Sequence, residues 1–122
     1  MRLWAPLTAA LLTAACAEEA APARTIAGSD PERGLAVIVR EGCAACHAVP
    51  GIDWPRGRAG PALNGFASSP LIAGRLPNRP DVLTAWLIDP PSLAPGTAMP
   101  PSSITEAEAR DVAAFLYTLD DR

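Results

Sequence analysis

Residues 43 to 47 read Cys43-Ala44-Ala45-Cys46-His47. Two thiols three positions apart, followed at once by an imidazole, put three ligating groups within about one turn of backbone. A structural zinc site needs four ligands, and the chain has no second C-x-x-C and no second histidine. A thioredoxin-like redox pair would want a strand before the motif and a β-α-β pattern around it. Here a helical pattern ends at the motif. A plain Cys43–Cys46 disulfide would leave His47 without a role. C-x-x-C-H is the attachment pattern for a c-type haem. Each thiol can add to one vinyl group, and the adjacent histidine then brings an imidazole to the iron.

A second axial ligand follows by elimination. His47 is the one histidine of the chain, and beyond the initiator the one methionine is Met99. Met99 lies in Pro95-Gly96-Thr97-Ala98-Met99-Pro100, where prolines on both sides stiffen the backbone. A methionine filling a core gap is the plainer role for such a residue. A polar loop between prolines is a poor place for a core residue and a good one from which to project a fixed thioether. Thioether ligation favours the ferrous state and raises the potential.

Three helices surround these residues. Ser29-Asp30-Pro31-Glu32 combines a cap, a first-turn proline and an acid that can complete a capping box. Leu35, Val37 and Ile38 follow, and Gly42 ends that helix. Asn78-Arg79-Pro80-Asp81 starts a second helix with Asn78 as its cap. Val82, Leu83, Trp86 and Leu87 then recur at helical spacing until Asp89-Pro90-Pro91. Thr105-Glu106-Ala107-Glu108 is a capping box, and Val112, Phe115, Leu116 and Leu119 form one face of a third helix ending near Asp120. Ala48 to Leu76 is rich in glycine and proline, and no run there alternates like a strand. So long a loop makes sense in a small domain if it wraps something that is not protein. The expectation is an all-α domain with no sheet.

The chain starts Met1-Arg2 and continues apolar from Leu3 to Ala15, too short to span a bilayer and suited to a signal peptide. Leu12-Thr13-Ala14-Ala15-Cys16 is similar to a lipoprotein signal, which would place a lipid on Cys16. Ordinary cleavage at Ala15-Cys16-Ala17 or Ala21-Pro22-Ala23 is the rival reading. Residues 1–15 are thus assigned to export, 16–28 to a flexible tether of small residues and 29–122 to the folded domain. An exported, periplasmic-side protein follows from either processing route.

The 122 residues suit one domain, and 49% hydrophobic content excludes a charged disordered chain. All 10 basic residues are arginine, against 13 acids, for a net charge of −3. That balance argues against non-specific nucleic-acid binding, which needs a basic footprint. Aromatics are only 5%, while there are 14 prolines and 9 glycines, so the protein core alone looks thin. Charge is uneven. Arg56, Arg58, Arg75 and Arg79 fall in residues 54 to 80 with no acid, whereas residues 105 to 122 hold five acids and two arginines. The arginines are solvated loop residues, a docking rim, or partners for haem propionates. Arg75 is the best single propionate candidate. Trp54 has two readings, an indole N–H reaching a propionate or an aromatic folded over its own loop.

From about residue 30 to 120 the sequence resembles a bacterial class I cytochrome c. Gly34 with Ile38 is similar to the glycine-x-x-x-aromatic pattern of that family's first helix, with Ile38 in place of the aromatic. Ala114-Phe115-Leu116 is similar to the last helix that it crosses. Gly60-Pro61-x-Leu63 resembles the loop beneath the haem. The resemblance implies that the Pro61 carbonyl accepts the His47 ring N–H and that Leu63 covers the ring. Leu83-x-x-Trp86-Leu87-x-Asp89-Pro90 resembles the methionine-side helix, with Trp86 against the haem or simply in the core. Ala73-Gly74-Arg75-Leu76-Pro77-Asn78 with the methionine loop is similar to small cytochromes associated with, or fused to, respiratory terminal oxidases.

The resemblance implies a class I cytochrome c fold: three main helices and long loops around one covalent haem c. It further implies a single-electron carrier that is not an enzyme. Its donor would be a quinol-oxidising complex or dehydrogenase and its acceptor a terminal oxidase. It would act as a monomer with transient contacts, tethered through Cys16. The alternatives are a fixed haem subunit of an oxidase or dehydrogenase, and a haem-based sensor or peroxidase, which would need weak Met99 ligation.

Overall fold

A computed structural model describes residues 24–120. The expected signal segment 1–15 and Cys16 lie outside the described residues. Four helices follow in order: α1 (Pro31–Glu41), α2 (Pro80–Ile88), α3 (Pro90–Leu93) and α4 (Glu106–Leu116). 3-10 turns occupy Cys43–Ala45 and Phe66–Ser68.

α1 starts where Asp30 caps it, accepting from the backbone N–H groups of Glu32 and Arg33. Ser29 instead donates its hydroxyl to the Ile26 carbonyl. The helix stops at Gly42, which takes the left-handed conformation (φ 70°) and donates its N–H back to Ile38 and Val39. α4 has the full capping box between Thr105 and Glu108. It ends at Leu116, ahead of the expected Asp120, and the chain leaves through a turn at Tyr117 and Thr118.

α1 and α4 cross at Gly34. A Cβ there would overlap the Asp111 carbonyl and sit 2.9 Å from the Val112 nitrogen. Glycine therefore sets how closely the two backbones approach. Ile38, Val112, Ala113 and Leu116 are buried in the core, and α2 adds Leu83, Trp86 and Leu87. Asp111, 7% exposed, ties the crossing together. Its carboxylate accepts from the Asp30 N–H (2.7 Å) and from Arg33 Nε (2.8 Å).

Three expectations need correction. Asn78 does not cap α2; the N-cap is Arg79, without a side-chain bond, and the Asn78 side chain is engaged elsewhere. The chain does contain a small sheet: β1 (Leu71–Ile72) pairs antiparallel with β2 (Leu76–Pro77), Ile72 opposite Leu76. Its loop is Ala73-Gly74-Arg75, with positive φ at Ala73 and Gly74 (50° and 71°) and the Arg75 N–H donating back to the Ile72 carbonyl at 3.1 Å. Two-residue strands are too short to leave an alternating pattern. Finally, residues 24–28 of the expected tether lie against the domain. Ile26 packs on the core, and Arg110 donates to the Ala27 carbonyl at 2.9 Å. Asp89-Pro90-Pro91 does end α2, but proline suits a first helical turn and the chain re-enters as α3.

Candidate cofactor site

The helices leave a cleft of about 560 Å³, within the usual size of small-ligand sites. His47 and Cys46 line it together with Leu63, Trp86 and Met99, and no charged residue is in its lining. Cys43 is half-buried and outside the lining, and neither thiol is in a disulfide. Burial pushes the Cys43 thiol up from its ordinary value.

The C-x-x-C-H segment is gripped through its backbone by the loop that follows. The Gly57 N–H donates to the Ala44 carbonyl (2.9 Å), Gly60 to Cys46 (2.8 Å) and Leu63 to Ala48 (2.9 Å). Two of these contacts require glycine. A Cβ on Gly57 would overlap the Ala45 carbonyl, and one on Gly60 would fall 2.7 Å from His47 Nδ1. The loop backbone therefore lies directly on the imidazole. His47 Nδ1–H donates to the Pro61 carbonyl at 2.7 Å, which fixes the tautomer because a carbonyl can only accept. Nε2 has no hydrogen-bond partner among the described residues.

The expected site residues divide into two groups. Cys46, His47, Pro61, Leu63, Trp86 and Met99 all line the one cleft; Cys43 is not in the lining and sits at the start of the 3-10 turn that Cys46 closes. Trp86 is also a core residue, only 7% exposed, so its two readings are compatible. Trp54 and Arg75 are outside the lining. Trp54 is 85% exposed, which rules out an aromatic folded down over its loop. Arg75 is exposed, the last residue of the hairpin loop whose Ala73 and Gly74 reach the cleft. The basic segment is also less uniform than its sequence, since Arg79 pairs with Asp81 at 3.0 Å.

Sequence reasoning missed Gly57 as a contact residue and Asn78 as a buried polar node. The glycine density of residues 51 to 65 was the available signal for the first. The second had none, because Asn before Arg-Pro-Asp reads as a cap.

The donor set tests what the cleft can hold. Among the described residues no cluster of three or more His, Cys, Asp or Glu could hold a metal ion. Two free thiols, one oriented imidazole and a thioether around an uncharged, largely apolar cleft instead fit a planar, covalently held haem. Fold and cleft together define a small helical domain built around a prosthetic group. Residues 31–120 match the family model for cytochrome c. The chain belongs to the cytochrome c family, whose members bind covalent haem c with its iron and transfer electrons through it. It is also 36% identical over 104 residues to a cytochrome c oxidase subunit 2 of Alkalihalophilus pseudofirmus, an alignment covering 84% of this chain. The chain spans 28% of that protein's length.

Proposed function

We propose that the protein is a single-electron carrier whose haem is held by Cys43 and Cys46 and ligated by His47 and Met99. The haem supplies a one-electron ferric/ferrous couple. The carrying observation is the His47 ring. Pro61 takes its Nδ1–H, Gly60 is close against the ring, and Nε2 is left uncommitted in the cleft that Met99 lines. Cys43 and Cys46 would supply the thioether links. Pro61 would keep the imidazole oriented and basic. Leu63 and Trp86 would exclude water from the cofactor's faces. With His47 and Met99 both committed, no position is open for oxygen or peroxide, so the reading is a carrier and not an enzyme.

The oxidase-subunit relative supports a terminal oxidase as acceptor, and the −3 net charge supports no nucleic acid; the donor in this reading is a quinol-oxidising complex or dehydrogenase. The apolar residues 3–15 and Cys16 support export and a lipid anchor. The same relative favours a second reading, a permanently bound haem subunit of an oxidase. Co-purification with an oxidase that survives high salt would favour the second; transient, salt-sensitive contact would favour the first.

The ligand assignment is tested by Met99→Ala. The variant should keep its covalent haem, lose the ferric absorption band near ~700 nm that sulfur ligation gives, bind external ligands and drop in potential. An unchanged spectrum and potential would mean that another residue occupies the position.

A further inference from the structure

The stretch from Phe66 to Ile72 forms one wall of the cleft, through Phe66, Ser69, Leu71 and Ile72. It contains a single 3-10 turn and two strand residues, little structure to hold itself. Its carbonyls are instead held from behind by residues outside the cleft lining. Asn78, 4% exposed, is the centre of this support. Its side-chain nitrogen donates to the Phe66 carbonyl (3.3 Å) and the Ser69 carbonyl (2.9 Å). Its backbone N–H donates to Pro70 (3.0 Å). Its side-chain oxygen accepts from the Tyr117 hydroxyl (3.0 Å). Tyr117 sits 6.2 Å from the Phe66 ring, centroid to centroid. The Arg24 guanidinium lies 5.5 Å from the Tyr117 ring centroid and donates to the Ala67 carbonyl. The N-terminal segment, the start of α2 and the end of α4 thus all hold one short wall.

We propose that Asn78, with Tyr117 and Arg24, is a positioning brace that fixes the Phe66–Ile72 wall and so controls how much water the haem meets on that side. The inference rests on the function proposed above. Fully satisfied buried networks fix geometry, whereas removing one member leaves its partner without a bond. A loosened wall admits water, and polar surroundings favour the ferric state. Burial pushes the Tyr117 phenol up, so it remains a donor across ordinary pH.

The test uses the haem-loaded protein and three variants, Tyr117→Phe, Arg24→Ala and Asn78→Ala. Amide exchange is followed at Ala67, Ser68 and Ser69, with α1 and α4 as internal controls, alongside midpoint potential. Tyr117→Phe should speed exchange in the wall roughly tenfold, leave the α1 and α4 amides unchanged and lower the potential. Arg24→Ala should move both readouts the same way by less. Should Asn78→Ala fail to fold, Tyr117→Phe still decides. Wild-type exchange and potential in a folded Tyr117→Phe would overturn the brace. So would a general loss of stability with no change in potential, the mark of a merely structural role. A wild-type protein lacking the His/Met spectrum would defeat the functional reading instead, and the exchange measurement would still judge the wall.

Discussion

The α1–α4 crossing and the loop from Gly57 to Leu63 both depend on a glycine pressed against another backbone or ring, yet they are held in opposite ways. At the crossing, buried Ile38, Val112, Ala113 and Leu116 supply the contact and Gly34 merely permits it. Burial of such side chains is worth about 1.5–3 kcal/mol each, so this part is held by contacts within the protein. Around His47 the loop contributes few buried side chains. It is fixed by three backbone hydrogen bonds to residues 44 to 48 and by Gly60 lying on the imidazole. Its apolar faces look into the cleft and gain a partner only when the cofactor is bound. One region is therefore a scaffold held by protein packing, the other a shell whose apolar faces are left for the cofactor.

The largest effect should come from breaking the scaffold. Gly34→Val would drive a branched side chain into the Asp111 carbonyl and separate the helices. The expected loss is more than ~3 kcal/mol, read as failure to accumulate folded protein or as a steep fall in the urea midpoint. A variant folded to wild-type stability would mean that the helices can slide apart without cost. The matching change in the shell is Gly60→Ala, whose methyl would meet the His47 ring. Helical content by circular dichroism should hold while the visible spectrum departs from that of the wild-type haem protein. The stability cost is about 1–3 kcal/mol. If Gly60→Ala unfolds the helices as completely as Gly34→Val, the distinction between scaffold and shell fails.

Legibility in the sequence follows the same division. The scaffold was largely readable, because Asp30-Pro31 and Thr105 with Glu108 are local signals and the apolar spacing of Leu83, Trp86 and Leu87 is periodic. The candidate donors stand out for another reason: Cys43, Cys46, His47 and Met99 are rare residue types in this chain. What holds them was not. Hydrogen bonds from Gly57 and Gly60 are backbone events, and the sequence records only that glycine is present. Asn78 shows the limit most clearly, since the same residue that reads as a helix cap spends its side chain on Phe66, Ser69 and Tyr117.

A pH experiment sharpens the scaffold side. Arg33, by hydrogen bonding to Asp111, holds that carboxylate below its ordinary value, with the Asp30 N–H adding to the effect. A depressed carboxylate stabilises the fold at pH above its unfolded value of about 3.9, and the contribution is lost as pH falls through the lower folded value. Asp111→Asn should therefore cost about 1–3 kcal/mol near neutrality, and the gap from wild type should close in urea titrations repeated below pH 4. The haem spectrum should be unaffected at neutral pH, because Asp111 is outside the cleft lining. A gap that stays constant from pH 7 to pH 3 would mean that the carboxylate's charge contributes nothing to the crossing.

The smallest effect belongs at the outer edge of the shell. Trp54 is a large aromatic, yet it is 85% exposed, three residues before the Gly57 contact that anchors the loop. A side chain so placed buries little area, so Trp54→Ala should change stability by no more than about 0.5 kcal/mol. The alternative is that the indole N–H reaches a haem propionate once the cofactor is bound. Such a bond stabilises propionate charge, and its loss would shift the midpoint potential and the pH dependence of that potential. Potentiometric titration of wild type and Trp54→Ala across pH 5 to 9 separates the two. Superimposable curves would leave Trp54 outside the shell, on a loop whose order comes from Gly57 and Gly60. A displaced curve would extend the shell to Trp54 and make its exposure a property of the polypeptide before the haem is in place.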